Sequence, residues 1–205
     1  MKTLHRPDLY SWSAFDEARN VDFHGLCWAR PVTSGGGGNV LVDPMPLSPH
    51  DRAHLESLGG ATLIILTNSD HTRAAQEIAA WTGAKIAGPA AEQDTFPFPC
   101  DRWLADGDEP VPGLLVHTVE GSKTPGELAL LLDGTTLVTG DLIRAHKAGS
   151  LMILPDAKLV DKAAAVASVR KLAAIGSIDT VLVGDGWPLF GNGGDALRAL
   201  ATRLG

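Results

Sequence analysis

Ala61-Thr62-Leu63-Ile64-Ile65-Leu66-Thr67, followed at once by Asn68-Ser69-Asp70-His71, is an apolar strand that stops on a cluster of polar side chains. A continuous apolar run of this length is the signature of a strand buried on both faces. The same event recurs three times further on. Leu114–Val119 gives way to Glu120-Gly121-Ser122-Lys123-Thr124-Pro125-Gly126, Thr135–Thr139 ends at Gly140-Asp141, and Thr180–Val183 ends at Gly184-Asp185-Gly186. In layered α/β folds, ligands gather in the crevice beyond the carboxyl ends of strands. Taken singly, each residue has a plain structural role. Asp70 can cap a helix starting near Thr72, and Asp-Gly pairs form turns. The repeated placement of Asp, His, Lys and Asp after four separate strands is what points to a site.

Working outward, the pattern alternates strands and helices. Phe23–Arg30 and Asn39–Asp43 are β-rich, and the glycine run Gly35–Gly38 between them reads as a hairpin loop. A phosphate-binding loop would lead into a helix, whereas Asn39-Val40-Leu41-Val42 reads as a strand. Ser48–Leu58 carries helix signals: Ser48 as N-cap, Pro49 at the first position, Gly59 after the end. Thr72–Thr82 is a second expected helix, with Ala75, Ile78 and Ala79 on one face, and Ala84–Ala87 a short strand. Phe96–Pro112, with four prolines, reads as a loop. Glu127–Leu132 and Thr135–Thr139 flank Asp133-Gly134, a hairpin signal. Lys158–Ile175 is the longest expected helix, and Asp195–Leu204 the last. Sheets with helices on their outer faces would bury these patterns. The 205 residues suit one domain.

These residues resemble the metallo-β-lactamase superfamily from about Asn39 onward. That family folds as an αββα four-layer sandwich with its metal motifs at strand ends on one edge. Its first motif reads His-x-His-x-Asp-His; the matching stretch here is Leu66-Thr67-Asn68-Ser69-Asp70-His71. Its next, His-Thr-Pro-Gly, matches Lys123-Thr124-Pro125-Gly126. The bridging aspartate matches Asp141, and Gly-His-Gly matches Gly184-Asp185-Gly186. Val40-Leu41-Val42-Asp43-Pro44 resembles the family's early strand ending in an aspartate. Leu104-Ala105-Asp106-Gly107-Asp108 resembles a family turn.

The departures bear on the metal chemistry. The resemblance implies a first metal held by three histidines; Leu66, Asn68 and Lys123 stand there instead, so that metal is expected to be absent. The resemblance implies a second metal site at Asp70, His71, Asp141 and Asp185. This set is oxygen-rich, which favours manganese, iron(II) or magnesium, with zinc accessible through availability. Two arrangements stay open: one divalent ion beside Lys123, or no metal and a network of Lys123 with the aspartates, which would otherwise repel one another. The family implies hydrolysis. Asp70 or Asp141 would then orient or deprotonate a water, Lys123 would polarise a substrate oxygen, and Asn68 would donate a hydrogen bond to that oxygen. Arg73, Arg144 and His146 are candidate anion contacts, although for Arg144 and His146 a solvated loop is the favoured reading.

Composition limits the alternatives. Apolar residues make up 44%, charged residues 20%, and the net charge is -7. There is no basic stretch of the kind that binds nucleic acid or anionic membrane. Cys27 and Cys100 make no disulfide framework or zinc ribbon and read as reduced thiols. Met1 is not followed by a signal-like apolar region, and the longest apolar runs are too short to span a bilayer. A cytoplasmic protein with a small-molecule substrate or ligand is expected, and a homo-oligomer is compatible with it. The alternative to a hydrolase of a small ester, thioester, lactone or phosphoester is a non-catalytic member binding a ligand or partner without metal; chelator-resistant catalysis at Lys123 is a third reading. β-Lactam hydrolysis is not expected.

Overall fold

A computed structural model describes residues 1–31 and 37–205. Gly35 and Gly36 of the expected glycine loop lie outside the described residues. A seven-stranded sheet runs in sequence order: β1 (Lys2–Thr3), β2 (Leu9–Asp16), β3 (Val21–Trp28), β4 (Val40–Val42), β5 (Leu63–Ile65), β6 (Lys85–Pro89) and β7 (Arg102–Leu104). Its first four strands are antiparallel, and β4 to β7 are parallel. The second sheet combines β8 (Leu114–Val119), β9 (Glu127–Leu132), β10 (Thr136–Thr139) and β13 (Thr180–Val183), with β13 parallel to β10 at the edge. A hairpin of β11 (Ile143–Lys147) and β12 (Ser150–Ile153) stands beside it.

Three apolar layers hold the assembly. Between the sheets, Leu26, Val42, Ile65 and Leu104 from the first meet Leu114, Val116, Leu130 and Leu182 from the second. Helices α1 (Pro49–Ser57) and α2 (Ala75–Thr82) cover the outer face of the first sheet through Leu55, Ala75 and Ile78. Helices α3 (Lys162–Ala173) and α4 (Gly193–Arg203) cover the second through Ala165, Val169, Leu172, Leu197 and Leu200. The order helix, sheet, sheet, helix is the expected αββα sandwich.

Local signals behave as expected in several places. Ser48 caps α1 by accepting from the Asp51 amide, with Pro49 at the first turn. Asp133 and Gly134 both take positive φ (46° and 70°), the left-handed conformations a tight hairpin needs; the loop is one residue wider than expected, since Leu132 pairs with Thr136. Asp70 caps no long helix: Ser69–His71 is a separate short 3-10 turn capped by Asn68, and α2 begins only at Ala75. The expected helix over 158–175 is shortened to Lys162–Ala173, because Asp161 caps it by accepting from the Ala164 amide. Its buried face is Ala165, Ser168, Val169 and Leu172. The proline-rich loop contains β7, which completes the first sheet, and the N-terminal strands and the β11–β12 hairpin add to what the alternation suggested.

Candidate metal and ligand site

The site lies where β4, β5, β10 and β13 end and where the β8–β9 turn and β11 approach them. From the first sheet come Asp43, just after β4, and Asn68, Asp70 and His71, after β5. From the second come Asp141 after β10, Asp185 after β13, Lys123 in the β8–β9 turn and Arg144 on β11. The residues expected from the sequence to be neighbours are neighbours.

Close backbone approach explains the glycines that precede the aspartates. A Cβ on Gly140 would lie 2.7 Å from Thr67 Oγ1, and one on Gly184 would lie 3.2 Å from His71 Cε1. A side chain at either position would crowd the strand ends where they draw in under the Thr67–His71 turn.

His71 is buried and held on one side by Asp43: its Nδ1 donates to Asp43 Oδ2 at 2.8 Å. Thr67 secures that carboxylate, its amide donating to Oδ1 and its hydroxyl to Oδ2. The other ring nitrogen, Nε2, faces Asp141 Oδ2 at 3.5 Å. Burial alone would lower the His71 pKa, but Asp43 and Asp141 outweigh it and raise it to about 9. Burial likewise works to raise the Asp43 pKa, and charged His71 outweighs it, leaving the carboxyl below its ordinary range.

Asp141 is the hub. It accepts from Asn68 Nδ2 at 3.1 Å and pairs with Lys123 Nζ at 2.9 Å and Arg144 Nη2 at 3.0 Å. Burial pushes its pKa up, and His71 and Lys123 together push it much further down. Lys123 Nζ also pairs with Asp70 Oδ2 at 2.8 Å. Burial lowers the Lys123 pKa, but Asp70 and Asp141 leave it above the ordinary lysine value. Arg144 Nη2 reaches Asp185 Oδ2, again at 3.0 Å, while its Nε donates to the Asp141 carbonyl. Arg144 is therefore buried and paired, not part of a solvated loop; His146, two residues on, is exposed at the rim of the same cleft.

His71, Asp141 and Asp185 each bring one ligand atom within 4.8 Å of the other two. Asp185 Oδ1 is buried and has no hydrogen-bond partner among the described residues. One imidazole and two carboxylates, with one carboxylate oxygen left over, fit a single divalent ion. Asp70, expected as a fourth ligand, stands apart from this trio: its side chain is 54% exposed and turned to Lys123. The positions matching two first-metal histidines are sealed, Leu66 and Asn68 both being fully buried. Asn68, expected to donate to a substrate oxygen, is committed instead to Asp141, and its Oδ1 accepts from the Asp70 amide.

Two further residues belong to the site. Asp43 was visible in the sequence only as a strand-ending aspartate. Glu127, at the start of β9, is wholly buried; its carboxylate accepts from the Leu142 amide and the Ser122 hydroxyl. Burial, then the charge of Asp141, pushes its pKa up to about 7. The site opens into a cleft of about 810 Å³, walled by Phe23, Met45 and Met152 and edged by Arg19, Arg73 and Lys158.

Comparison with known proteins agrees with this fold. A family profile described as the metallo-beta-lactamase superfamily matches residues 1–204. A hydroxyacylglutathione hydrolase from Fuscovulum blasticum is 34% identical over 148 residues, covering 69% of this chain and 55% of that protein. One from Cereibacter sphaeroides is 33% identical over 127 residues, covering 58% of this chain and 48% of that protein. The chain thus spans about half the length of the curated relatives it matches. Among solved structures, a metallo-beta-lactamase from Erythrobacter litoralis superposes with a TM-score of 0.72 at 15% identity, covering 98% of this chain and 95% of that one. One from Pontibacter korlensis gives 0.71 at 15%, covering 98% and 97%. With the strand-end site in place and a family match spanning nearly its whole length, the chain belongs to the metallo-beta-lactamase superfamily.

Proposed function

We propose that the cleft is the active site of a mononuclear metal-dependent hydrolase acting on a small ester, thioester, lactone or phosphoester. The observation that carries this reading is the convergence of His71, Asp141 and Asp185 around the unpartnered Asp185 Oδ1. The name of the relatives, hydroxyacylglutathione hydrolase, favours a thioester among these substrates. The ion would be held by these three residues, with manganese, iron(II) or zinc compatible with the donors. When bound, it would supply Lewis-acid polarisation and acidify a water.

The chain's own residues supply the rest. Asp43 fixes the ring of His71 through Nδ1, leaving Nε2 toward the site. Asp70, exposed at the cleft, accepts or orients the proton of an attacking water at its carboxylate. Lys123, its side chain 29% exposed, offers its Nζ as a donor to a carbonyl or phosphoryl oxygen. Asn68 positions Asp141 and does not itself meet substrate. Arg19, Arg73 and Lys158 give the rim a positive sign on a chain of net charge -7, which suits an anionic small molecule. Among the described residues no helix is long and apolar enough to cross a membrane. The thiols of Cys27 and Cys100 are free, in keeping with a cytoplasmic location.

A second reading has its own observation. Lys123 and Arg144 already neutralise the carboxylates, so a metal-free member binding an anionic ligand would also be charge-balanced. Elemental analysis of protein purified without added metal separates the two. About one manganese, iron or zinc per chain, lost in Asp141→Ala, supports the hydrolase. Metal-free protein whose melting temperature ignores Mn²⁺, Fe²⁺ and Zn²⁺ supports the binding reading. On the hydrolase reading, Lys123→Ala lowers turnover of a small thioester by about 100-fold.

A further inference from the structure

Arg144 has no counterpart among the residues by which the chain resembles its family, yet it is more deeply buried in the site than Lys123. It lies on β11, paired across the hairpin with Met152. Its neighbours Ile143 and Ala145 point into the core, so strand alternation turns Arg144 to the opposite face, toward the cleft. There its Nη2 sits 3.0 Å from Asp141 Oδ1 and 3.0 Å from Asp185 Oδ2, with the side chain only 9% exposed. It spans two of the three residues that converge on the candidate ion site. Asp185 is engaged through one oxygen alone; the other is buried and unpartnered. The pair of carboxylates is thus claimed from one side by a fixed guanidinium and presents a spare acceptor on the other.

We propose that Arg144 is a tethered counter-ion that competes with the divalent cation for Asp141 and Asp185, so that the ion binds by displacing the guanidinium. This rests on the one-ion reading of the site. Like charges a few ångströms apart in a buried setting repel strongly, so guanidinium and ion do not share both carboxylates at full strength. In the absence of the ion, Arg144 keeps two buried carboxylates from facing each other uncompensated. In its presence, Arg144 is released toward the cleft, where Arg19, Arg73 and Lys158 already make the rim positive and where an anionic substrate would meet it. Metal affinity is then lower than the ligand set alone would give, and binding of an anion in the cleft, by holding the released guanidinium, raises it.

The test is calorimetric titration of the chelator-treated full chain with Mn²⁺ and with Zn²⁺, comparing wild type, Arg144→Gln and Arg144→Lys. The expected result is at least tenfold tighter binding to Arg144→Gln than to wild type, with Arg144→Lys in between. The Mn²⁺-induced rise in melting temperature follows the same order. If Arg144→Gln does not fold, Arg144→Lys, which keeps a positive charge but not the two-armed contact, carries the comparison with wild type. Equal dissociation constants, or weaker binding in the variants, overturn the competition while leaving the one-ion site standing. No binding to any of the three proteins overturns the one-ion site itself, and the competition with it.

Discussion

Asp43 and His71, 28 residues apart, form the buried ion pair on which the site's orientation depends, with Nδ1 donating to Oδ2 at 2.8 Å. Asp43→Asn replaces an acceptor of three hydrogen bonds with a group that can accept at only one atom. Breaking a buried charged pair from one side typically costs about 3–5 kcal/mol, and we expect a loss of that order in urea unfolding at pH 7.

The same pair gives a pH dependence. The folded-state pKa of His71, about 9, lies above its ordinary 6.5. Its stabilising contribution is therefore complete below about pH 6.5 and is lost as pH rises through about 9. The unfolding free energy of the metal-free wild type should fall across that window, and more shallowly in Asp43→Asn. Parallel curves for the two proteins would refute the assignment.

Glu127 gives a second, separable window. Its folded pKa of about 7 stands above the ordinary 4.5, so the protonated form is favoured in the fold, and stability is lost as pH rises through 7. Glu127→Gln removes the titration while keeping size and one carbonyl acceptor for the Leu142 amide. Urea midpoints at pH 5 and pH 8 should differ less in the variant than in the wild type.

Gly184 and Gly186 should respond unequally to alanine. At Gly184 the new methyl meets His71 Cε1 at 3.2 Å and the Gly140 carbonyl at 3.4 Å, an overpacking cost of about 1–3 kcal/mol. At Gly186, φ is +95° and the methyl would lie 2.2 Å from the Ala145 carbonyl, so backbone must move. Thermal melts should rank wild type above Gly184→Ala, and Gly184→Ala above Gly186→Ala.

No turnover of nitrocefin is expected. Leu66 and Asn68 are fully buried and Lys123 carries a positive charge, so the three positions that resemble the first metal's histidines offer no ligand set. Rapid hydrolysis of nitrocefin by purified wild type, abolished in Asp141→Ala, would falsify this.

Much of the site was legible because its residues follow apolar strands directly: Asp70 and His71 after β5, Asp141 after β10, Asp185 after β13. Lys123 was legible through the turn it shares with Thr124-Pro125-Gly126. The pairing of Arg144 with Asp141 and Asp185 was not, because a charged residue in Ile143-Arg144-Ala145-His146-Lys147 reads as solvated or as an anion contact until the β11–β12 hairpin fixes which face it takes. Glu127 was read only as the first residue of a strand; its inward direction depends on the Leu142 amide, which comes from another element. The motif places Asp70 beside His71 but does not reveal that its carboxylate pairs with Lys123. In the fold, the strand at Arg102–Leu104 was hidden among prolines, and its three residues are too few to show a period.

The hub carboxylate carries a mechanical meaning as well as a chemical one. Asp141 is gripped by Asn68 and His71 from one sheet and by Lys123 and Arg144 from the other half of the sandwich. It works as a clasp across the seam. Parting the two leaves by even the length of a hydrogen bond would undo the clasp and scatter the reactive groups, so the cleft can be assembled only while the greasy interior behind it is shut.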